Sequence, residues 1–109
     1  MNMVIMNNWV DVGGCEEIKP QSARRVDTHF GPVAIFRTVS DEYFALMDQC
    51  PHKKGPLSEG LVHGNAVACP LHNWTISLQT GEAQGADKGC TATLPLKVQD
   101  GRLWLGLKG

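Results

Sequence analysis

Two short segments, each pairing a cysteine with a histidine, constrain the fold of this chain more than any other feature. The first Cys/His segment is Cys50–His52, with the sequence CPH, and the second is Cys69–His72, with the sequence CPLH; sixteen residues separate them. Each follows a predicted strand, which places it on a loop at the mouth of a hairpin, and a proline stiffens each loop. If the two loops face each other, they offer two thiolates and two imidazoles to one site. The sequence therefore predicts a metal centre held between two loops of β-structure.

Two kinds of metal centre use this set of ligands. Zinc binds two cysteines and two histidines tetrahedrally, commonly with the cysteines close together and the histidines close together. A [2Fe–2S] cluster can instead take two cysteines on one iron and two histidines on the other. Here each segment supplies one cysteine and one histidine, which is unusual for zinc and suits a cluster that both loops straddle. We favour the cluster over zinc, and both over the interpretation that these are unrelated loop residues.

Short strands followed by turn residues recur along the chain and predict its fold class. No window of eleven or more residues keeps a helical period of apolar residues, and a helical turn is expected only near Cys15–Ile18. Asp100–Gly101 is a strong hairpin signal. The pattern predicts an all-β fold, a small antiparallel sandwich or barrel. The predicted strands are Val33–Val39, Tyr43–Met47, Leu61–Val62, Ala66–Ala68, Trp74–Leu78, Leu94–Val98 and Leu103–Leu107.

Length and composition are those of a globular chain. With 109 residues we expect one domain, residues 1–109, and 42% apolar with 19% charged residues are globular values. The net charge of −1 gives no basic surface for nucleic acid. The apolar runs, such as Val33–Phe36 with four residues, are short, whereas a membrane helix needs about twenty. We therefore expect neither a nucleic-acid partner nor a membrane partner.

The N-terminal sequence and the cysteines together predict a cellular compartment. The first basic residue is Lys19, so the basic start of a secretory signal is missing, and no apolar run follows the pair Arg24–Arg25. We expect a cytoplasmic protein. Cytosolic thiols stay reduced, so four cysteines favour metal binding or catalysis over disulfides.

Three stretches carry a resemblance to a known family: residues 50–60 (CPHKKGPLSEG), 69–74 (CPLHNW) and 80–82 (TGE). Together they resemble a Rieske [2Fe–2S] domain and, more narrowly, the small subunit of assimilatory NAD(P)H-dependent nitrite reductase. The resemblance extends from residue 9 to residue 104. It implies a Rieske-type antiparallel β-sandwich with a small cluster-binding subdomain at about residues 48–80. In that arrangement Cys50 and Cys69 hold one iron, and His52 and His72 hold the outer, reducible iron.

The resemblance also implies a partner. In the nitrite reductase family a large subunit carries FAD, a [4Fe–4S] cluster and sirohaem, and reduces nitrite to ammonium with electrons from NAD(P)H. This chain has no G-x-G-x-x-G dinucleotide fingerprint, so it would transfer electrons to that subunit and not catalyse the reaction alone. Two alternatives stay open. One is a stand-alone Rieske ferredoxin delivering electrons to a ring-hydroxylating oxygenase, whose second segment usually reads C-P-x-H-x-G-x-F where Asn73–Trp74 stands here. The other is a structural subunit whose cluster mainly holds its loops together.

Comparison with other Rieske families implies a low reduction potential. Respiratory and photosynthetic Rieske proteins carry a disulfide between positions matching Gly55 and Leu71, which this chain cannot form. They also place hydroxyl groups, which donate hydrogen bonds to cluster sulfurs, where this chain has Trp74 and Ile76. Such bonds favour the reduced state, so we expect a potential near the low end of the Rieske range of about −150 to +300 mV.

Five further residues carry weaker expectations. Cys15 and Cys90 are expected to be inert thiols, buried or half-buried. His29 and His63 are expected on the surface or in loops. Trp74 is expected to pack against the cluster loops.

Overall fold

The computed structural model describes residues 7–28, 31–49, 56–70, 74–84 and 89–108. Within these ranges it contains ten strands, two single-turn 3₁₀ helices and no α-helix. The strands are β1 (Asn7–Gly14), β2 (Ser22–Thr28), β3 (Gly31–Arg37), β4 (Tyr43–Met47), β5 (Leu61–His63), β6 (Ala66–Ala68), β7 (Thr75–Ser77), β8 (Thr93–Leu94), β9 (Leu96–Gln99) and β10 (Arg102–Lys108). The 3₁₀ turns are η1 (Cys15–Glu17) and η2 (Leu57–Glu59).

The strands form three sheets, and every strand pair is antiparallel. Sheet A has the order β1-β10-β9, sheet B the order β2-β3-β4-β8, and sheet C the order β5-β6-β7. The predicted all-β antiparallel fold is therefore confirmed. None of the helices in the described ranges is long and apolar enough to cross a membrane.

Strand β3 lies at the centre of the fold because both of its faces are covered. Its residues Val33–Phe36 are all fully buried. Side chains alternate between the two faces of a strand, so Val33 and Ile35 pack in one core and Ala34 and Phe36 in another. This is why the sequence here is an unbroken apolar run and not an alternation of apolar and polar residues.

Each of the two cores joins sheet B to one of the other sheets. The first contains Leu103 and Leu105 of sheet A, together with Cys15 and Ile18 at η1. The second joins sheet B to sheet C and η2, and it includes Cys69. Sheet B is thus the middle layer, and the second core is the one that buries Cys69 of the second Cys/His segment. The members of this second core are Ala34, Phe36, Leu46, Leu57, Val62, Val67, Cys69, Ile76 and Leu78.

The predicted hairpins are confirmed, with strand ends shifted by one or two residues. Strands β3 and β4 pair from Val33↔Met47 to Arg37↔Tyr43. The turn between β9 and β10 has Asp100 at φ 54° and Gly101 at φ 74°. Positive φ at both central residues is what a type I′ turn requires, and the Asp-Gly sequence tolerates it. The helical turn expected near Cys15–Ile18 is also confirmed as η1.

The single strand predicted at Leu94–Val98 is wrong, because Pro95 divides it. Leu94 belongs to β8, which pairs with Ala45 in sheet B, whereas Leu96 belongs to β9, which pairs with Leu105 in sheet A. Proline has no N–H to donate to a ladder, so the chain leaves one sheet and enters the other at this residue. The Pro95 carbonyl still accepts a hydrogen bond from the Gly106 N–H at 2.8 Å.

Candidate metal centre

One of the four predicted ligands lies within the described residues. Cys69 directly follows β6 and is fully buried. Cys50, His52 and His72 lie outside the described residues, and so does His29. Among the residues that are described, no three Cys, His, Asp or Glu side chains come together to hold a metal ion. The site is therefore described through Cys69 and the backbone on either side of each segment.

The second Cys/His segment spans the gap between two neighbouring strands of sheet C. Ala68 of β6 pairs with Thr75 of β7. Just beyond this pair, the Cys69 N–H donates a hydrogen bond to the Trp74 carbonyl at 2.7 Å. The loop that would carry His72 is thus closed at its base by the ladder and by this bond. Cys69 thus lies at the end of a hairpin, as predicted for the start of this segment.

The surroundings of Cys69 fit a metal-bound thiolate. Its side chain lies in the second core with apolar residues such as Val67 and Ile76. An ionised thiol in apolar surroundings is costly unless its charge is neutralised, and a coordinating metal both deprotonates and neutralises a thiol. The burial of Cys69 therefore fits a ligand on the protein side of a cluster. Trp74 is half-buried and packs against the same core.

The loop that carries the first Cys/His segment is anchored on both sides. On one side, the Asp48 N–H donates to the Pro32 carbonyl at 2.9 Å, just beyond the end of β4. On the other side, Leu57 of η2 is fully buried in the second core. The buried Asp48 carboxylate accepts hydrogen bonds from the backbone N–H of Ser58 at 2.7 Å and from its hydroxyl at 2.6 Å. Both ends of this loop are therefore held against sheet B.

Close backbone packing joins η2 to sheet C. A Cβ atom added at Gly60 would collide with the Ala68 carbonyl oxygen and come within 2.9 Å of Val67 Cγ2. Glycine is thus required on steric grounds where the chain enters β5. In addition, the Gln21 side-chain amide donates to the Val62 carbonyl at 2.9 Å and ties the start of β2 to β5.

The shifted pKa values belong to groups around the first core, not to the core that contains Cys69. The hydrogen bond from Arg102 holds the pKa of Asp11 below its usual range. The backbone N–H of Gly14 does the same for the pKa of Glu17. Burial raises the pKa of Tyr43, whose hydroxyl donates to the Cys15 carbonyl at 3.4 Å.

The remaining sequence expectations have mixed outcomes. His63 is exposed at the end of β5, as expected. Cys15 is buried as expected, whereas Cys90 is exposed, against the expectation that it would be buried or half-buried. Sequence reasoning missed Asp48 and Ser58, although an acidic residue directly after an apolar strand and two residues before a predicted ligand is a recognisable signal.

Comparison with known proteins identifies the class. The family model described as "Rieske [2Fe-2S] domain" matches residues 8–95. The anthranilate 1,2-dioxygenase ferredoxin subunit of Burkholderia cepacia is 36% identical, over 90% of this chain and 86% of that protein. The 4beta-methylsterol monooxygenase of Methylococcus capsulatus is 33% identical over 91% of this chain, but this chain spans only 30% of its length.

Solved structures share the fold. The complex of reduced oxygenase and oxidized ferredoxin in carbazole 1,9a-dioxygenase includes a chain 26% identical to this one. That match has a TM-score of 0.82 and covers 93% of this chain and 95% of that chain. A protein provisionally described as an NADH-dependent nitrite reductase small subunit, from Mycobacterium tuberculosis, is 20% identical with a TM-score of 0.85, covering 94% and 97%.

The fold is antiparallel β-structure, and it buries a cysteine at the end of a hairpin. A Rieske [2Fe–2S] domain model matches the chain along most of its length. These findings define an electron-transfer iron–sulfur protein. The chain belongs to the Rieske [2Fe–2S] domain family, and its cofactor is the Rieske [2Fe–2S] cluster. The resemblance drawn from the sequence motifs is confirmed at the level of this family.

Proposed function

We propose that this chain is a Rieske ferredoxin that carries single electrons to an oxygenase. The observation that carries the proposal is the extent of the matches to electron carriers. The chain covers 86% of a dioxygenase ferredoxin subunit at 36% identity and 95% of a chain in an oxygenase–ferredoxin complex at 26% identity. In the sterol monooxygenase the same region is 30% of a longer protein. The dioxygenase ferredoxin subunit, which this chain spans along most of its length, supports the role of an electron carrier.

We propose Cys50, His52, Cys69 and His72 as the ligands of the cluster. When bound, the cluster accepts and releases one electron at a time. The buried Cys69 would hold its inner side, and the two histidines would face outward. Sheet C and the two loops, at about residues 48–80, would form the cluster-binding subdomain of a single domain. Four protein ligands leave no position for a substrate, so bond chemistry would belong to the partner.

The chain's own contribution is to hold these ligands and to present an accessible edge. Pro70, next to Cys69, is exposed, and so is Pro56 at the far end of the first loop. Leu61 is 65% exposed on sheet C. These exposed residues border the two segments and would be available to a docking partner. We also predict a cytoplasmic location, as the sequence does.

The small subunit of a nitrite reductase is the second candidate. The observation in its favour is Asn73–Trp74, which departs from the glycine and phenylalanine pattern usual after the second segment of oxygenase ferredoxins. We place it second, in reverse of the order that the motifs favoured, because its solved relatives are 20% and 23% identical and support the fold alone.

Purification with a partner tests the proposal. The tagged chain would be isolated from its own host, grown once with nitrate and once with an aromatic carbon source, and the bound proteins would be identified with their absorption spectra. An oxygenase or its reductase supports the proposal. A large partner with sirohaem and flavin supports the nitrite reductase subunit and overturns the proposal.

A variant at His72 then tests the electron-transfer role. Single-turnover electron transfer from the reduced chain to its partner would be compared between the native protein and His72→Ala. Loss of transfer with the complex still formed supports a carrier. Undiminished transfer would mean that the cluster only holds the loops together.

A further inference from the structure

A buried carboxylate joins the two ends of the loop that carries the first Cys/His segment. Asp48 is 4% exposed and is one of two buried polar side chains in the described part of the chain, the other being Thr38. One oxygen of Asp48 accepts from the Ser58 N–H at 2.7 Å, and the other accepts from the Ser58 hydroxyl at 2.6 Å. Hydrogen bonds to an ionised acceptor are shorter and about twice as strong as neutral ones. Asp48 thus makes a bidentate contact with a single residue across the loop.

The two residues are themselves held by the fold. The Asp48 N–H donates to the Pro32 carbonyl at 2.9 Å, which fixes Asp48 to the start of β3. Ser58 lies in η2, whose neighbouring residue Leu57 is fully buried in the second core. The N–H groups in the first turn of a helix lack partners within it, and the Asp48 carboxylate satisfies one of them. The contact therefore connects two residues that the fold already holds, Asp48 beside β3 and Ser58 in η2.

We infer that Asp48 and Ser58 are positioning residues for the cluster. Their contact joins the two described ends of the segment that carries Cys50 and His52, beside the core that buries Cys69. Closing a loop in advance lowers the entropy that must be lost when its residues bind a common centre. The contact would keep the first segment in register with the second. This inference rests on the proposed ligands Cys50, His52, Cys69 and His72.

Substitutions of Ser58 test the inference on the full chain loaded with its cluster. Ser58→Ala removes the hydroxyl and keeps the backbone N–H, whereas Ser58→Thr keeps both donors. The rate of cluster loss to an iron chelator would be followed by the visible absorption band. Loss of one charge-assisted hydrogen bond predicts about tenfold faster loss in Ser58→Ala, with an altered visible circular dichroism spectrum. Ser58→Thr should restore both the rate and the spectrum.

Thr38→Val is the matched control. Thr38 is the other buried polar residue in the described part of the chain, and its hydroxyl accepts from the Glu42 N–H at 3.1 Å in the turn between β3 and β4. The control removes a hydrogen bond of this turn, which is outside residues 49–57 in the sequence. We expect a lower unfolding temperature in both variants but the native rate of cluster loss in Thr38→Val. Asp48→Asn, which keeps the shape and an acceptor for the N–H, should lose the cluster more slowly than Ser58→Ala.

Three results would overturn the inference. One is a Ser58→Ala rate within about twofold of native, and the second is an equal acceleration in Thr38→Val, which would indicate general stability only. In both cases a native chain with two irons and two sulfides would leave the proposed function standing. The third is a native chain that assembles no such cluster, which would overturn the ligand set together with the inference.

Discussion

The two faces of β3 give a prediction that separates support of the cluster from stability in general. Phe36 and Ile35 are adjacent, and both are fully buried. Phe36 packs in the second core with Cys69, whereas Ile35 packs in the first core with Leu103 and Leu105. A change at either position removes apolar contacts from one core and leaves the opposite face of the strand in place. The two positions are therefore matched in strand and burial but differ in the sheet they support.

Phe36→Leu and Ile35→Val are conservative changes of similar cost. Each reduces the volume of a fully buried side chain, for which we expect a loss of about 1 kcal/mol in the free energy of unfolding. Because only Phe36 shares a core with Cys69, Phe36→Leu should also loosen the cluster-binding side of the fold. If the whole loss of about 1 kcal/mol destabilises the cluster-binding side of the fold, cluster loss should be about fivefold faster. Ile35→Val should lose its cluster at the native rate.

Two assays on the same proteins decide this. Urea unfolding of the cluster-loaded chain gives the loss of stability, and transfer of iron to a chelator under native conditions gives the rate of cluster loss. Equal rates of cluster loss from two equally destabilised variants would refute this prediction. Faster cluster loss from Ile35→Val than from Phe36→Leu would refute it as well.

Three other changes have expected outcomes. Gly60→Ala should lower the free energy of unfolding by about 1–3 kcal/mol by overpacking β6, and it should reduce the iron content. Gly14→Ala is the control, because its added Cβ has its nearest contact at 3.5 Å, and it should leave the iron content unchanged. The hydrogen bond from Arg102 lowers the pKa of Asp11. This pair therefore stabilises the fold at neutral pH, and its contribution is lost as the pH falls below about 4. In urea unfolding, Asp11→Asn should lose less stability between about pH 6 and 3 than the native chain. Ile76 offers no hydrogen-bond donor, so potentiometric titration should give a potential near the low end of about −150 to +300 mV, and a value well above zero would contradict this.

Local sequence signals account for much of the sheet structure. The hairpin of β9 and β10 follows from Asp100–Gly101, because few other residue pairs accept positive φ at both positions of the turn. The strand β3 follows from Val33–Phe36, whose unbroken apolar run fits a strand buried on both faces. In each case the information lies within a few neighbouring residues. Cys69 likewise lies at a hairpin end, as the sequence predicts.

Features that depend on distant residues were not predicted. Pro95 indicates a break in the run, but which sheet each side joins depends on the partners that β4 and β10 offer. The contact between Asp48 and Ser58 spans ten residues and depends on how η2 packs against sheet B. Burial and hydrogen-bond partners of this kind follow from tertiary packing, which residue patterns alone do not determine.

Nitrogen hyperfine spectroscopy of the reduced protein tests whether Cys50, His52, Cys69 and His72 hold the cluster. The chain would be produced with ¹⁵N-labelled histidine and reduced, and electron–nuclear double resonance would record the nitrogen nuclei coupled to the cluster. We predict two coupled histidine nitrogens, one of which disappears in His72→Cys, together with two irons and two sulfides per chain. A reduced cluster without coupled histidine nitrogen, or a protein that binds zinc in its place, would contradict the account.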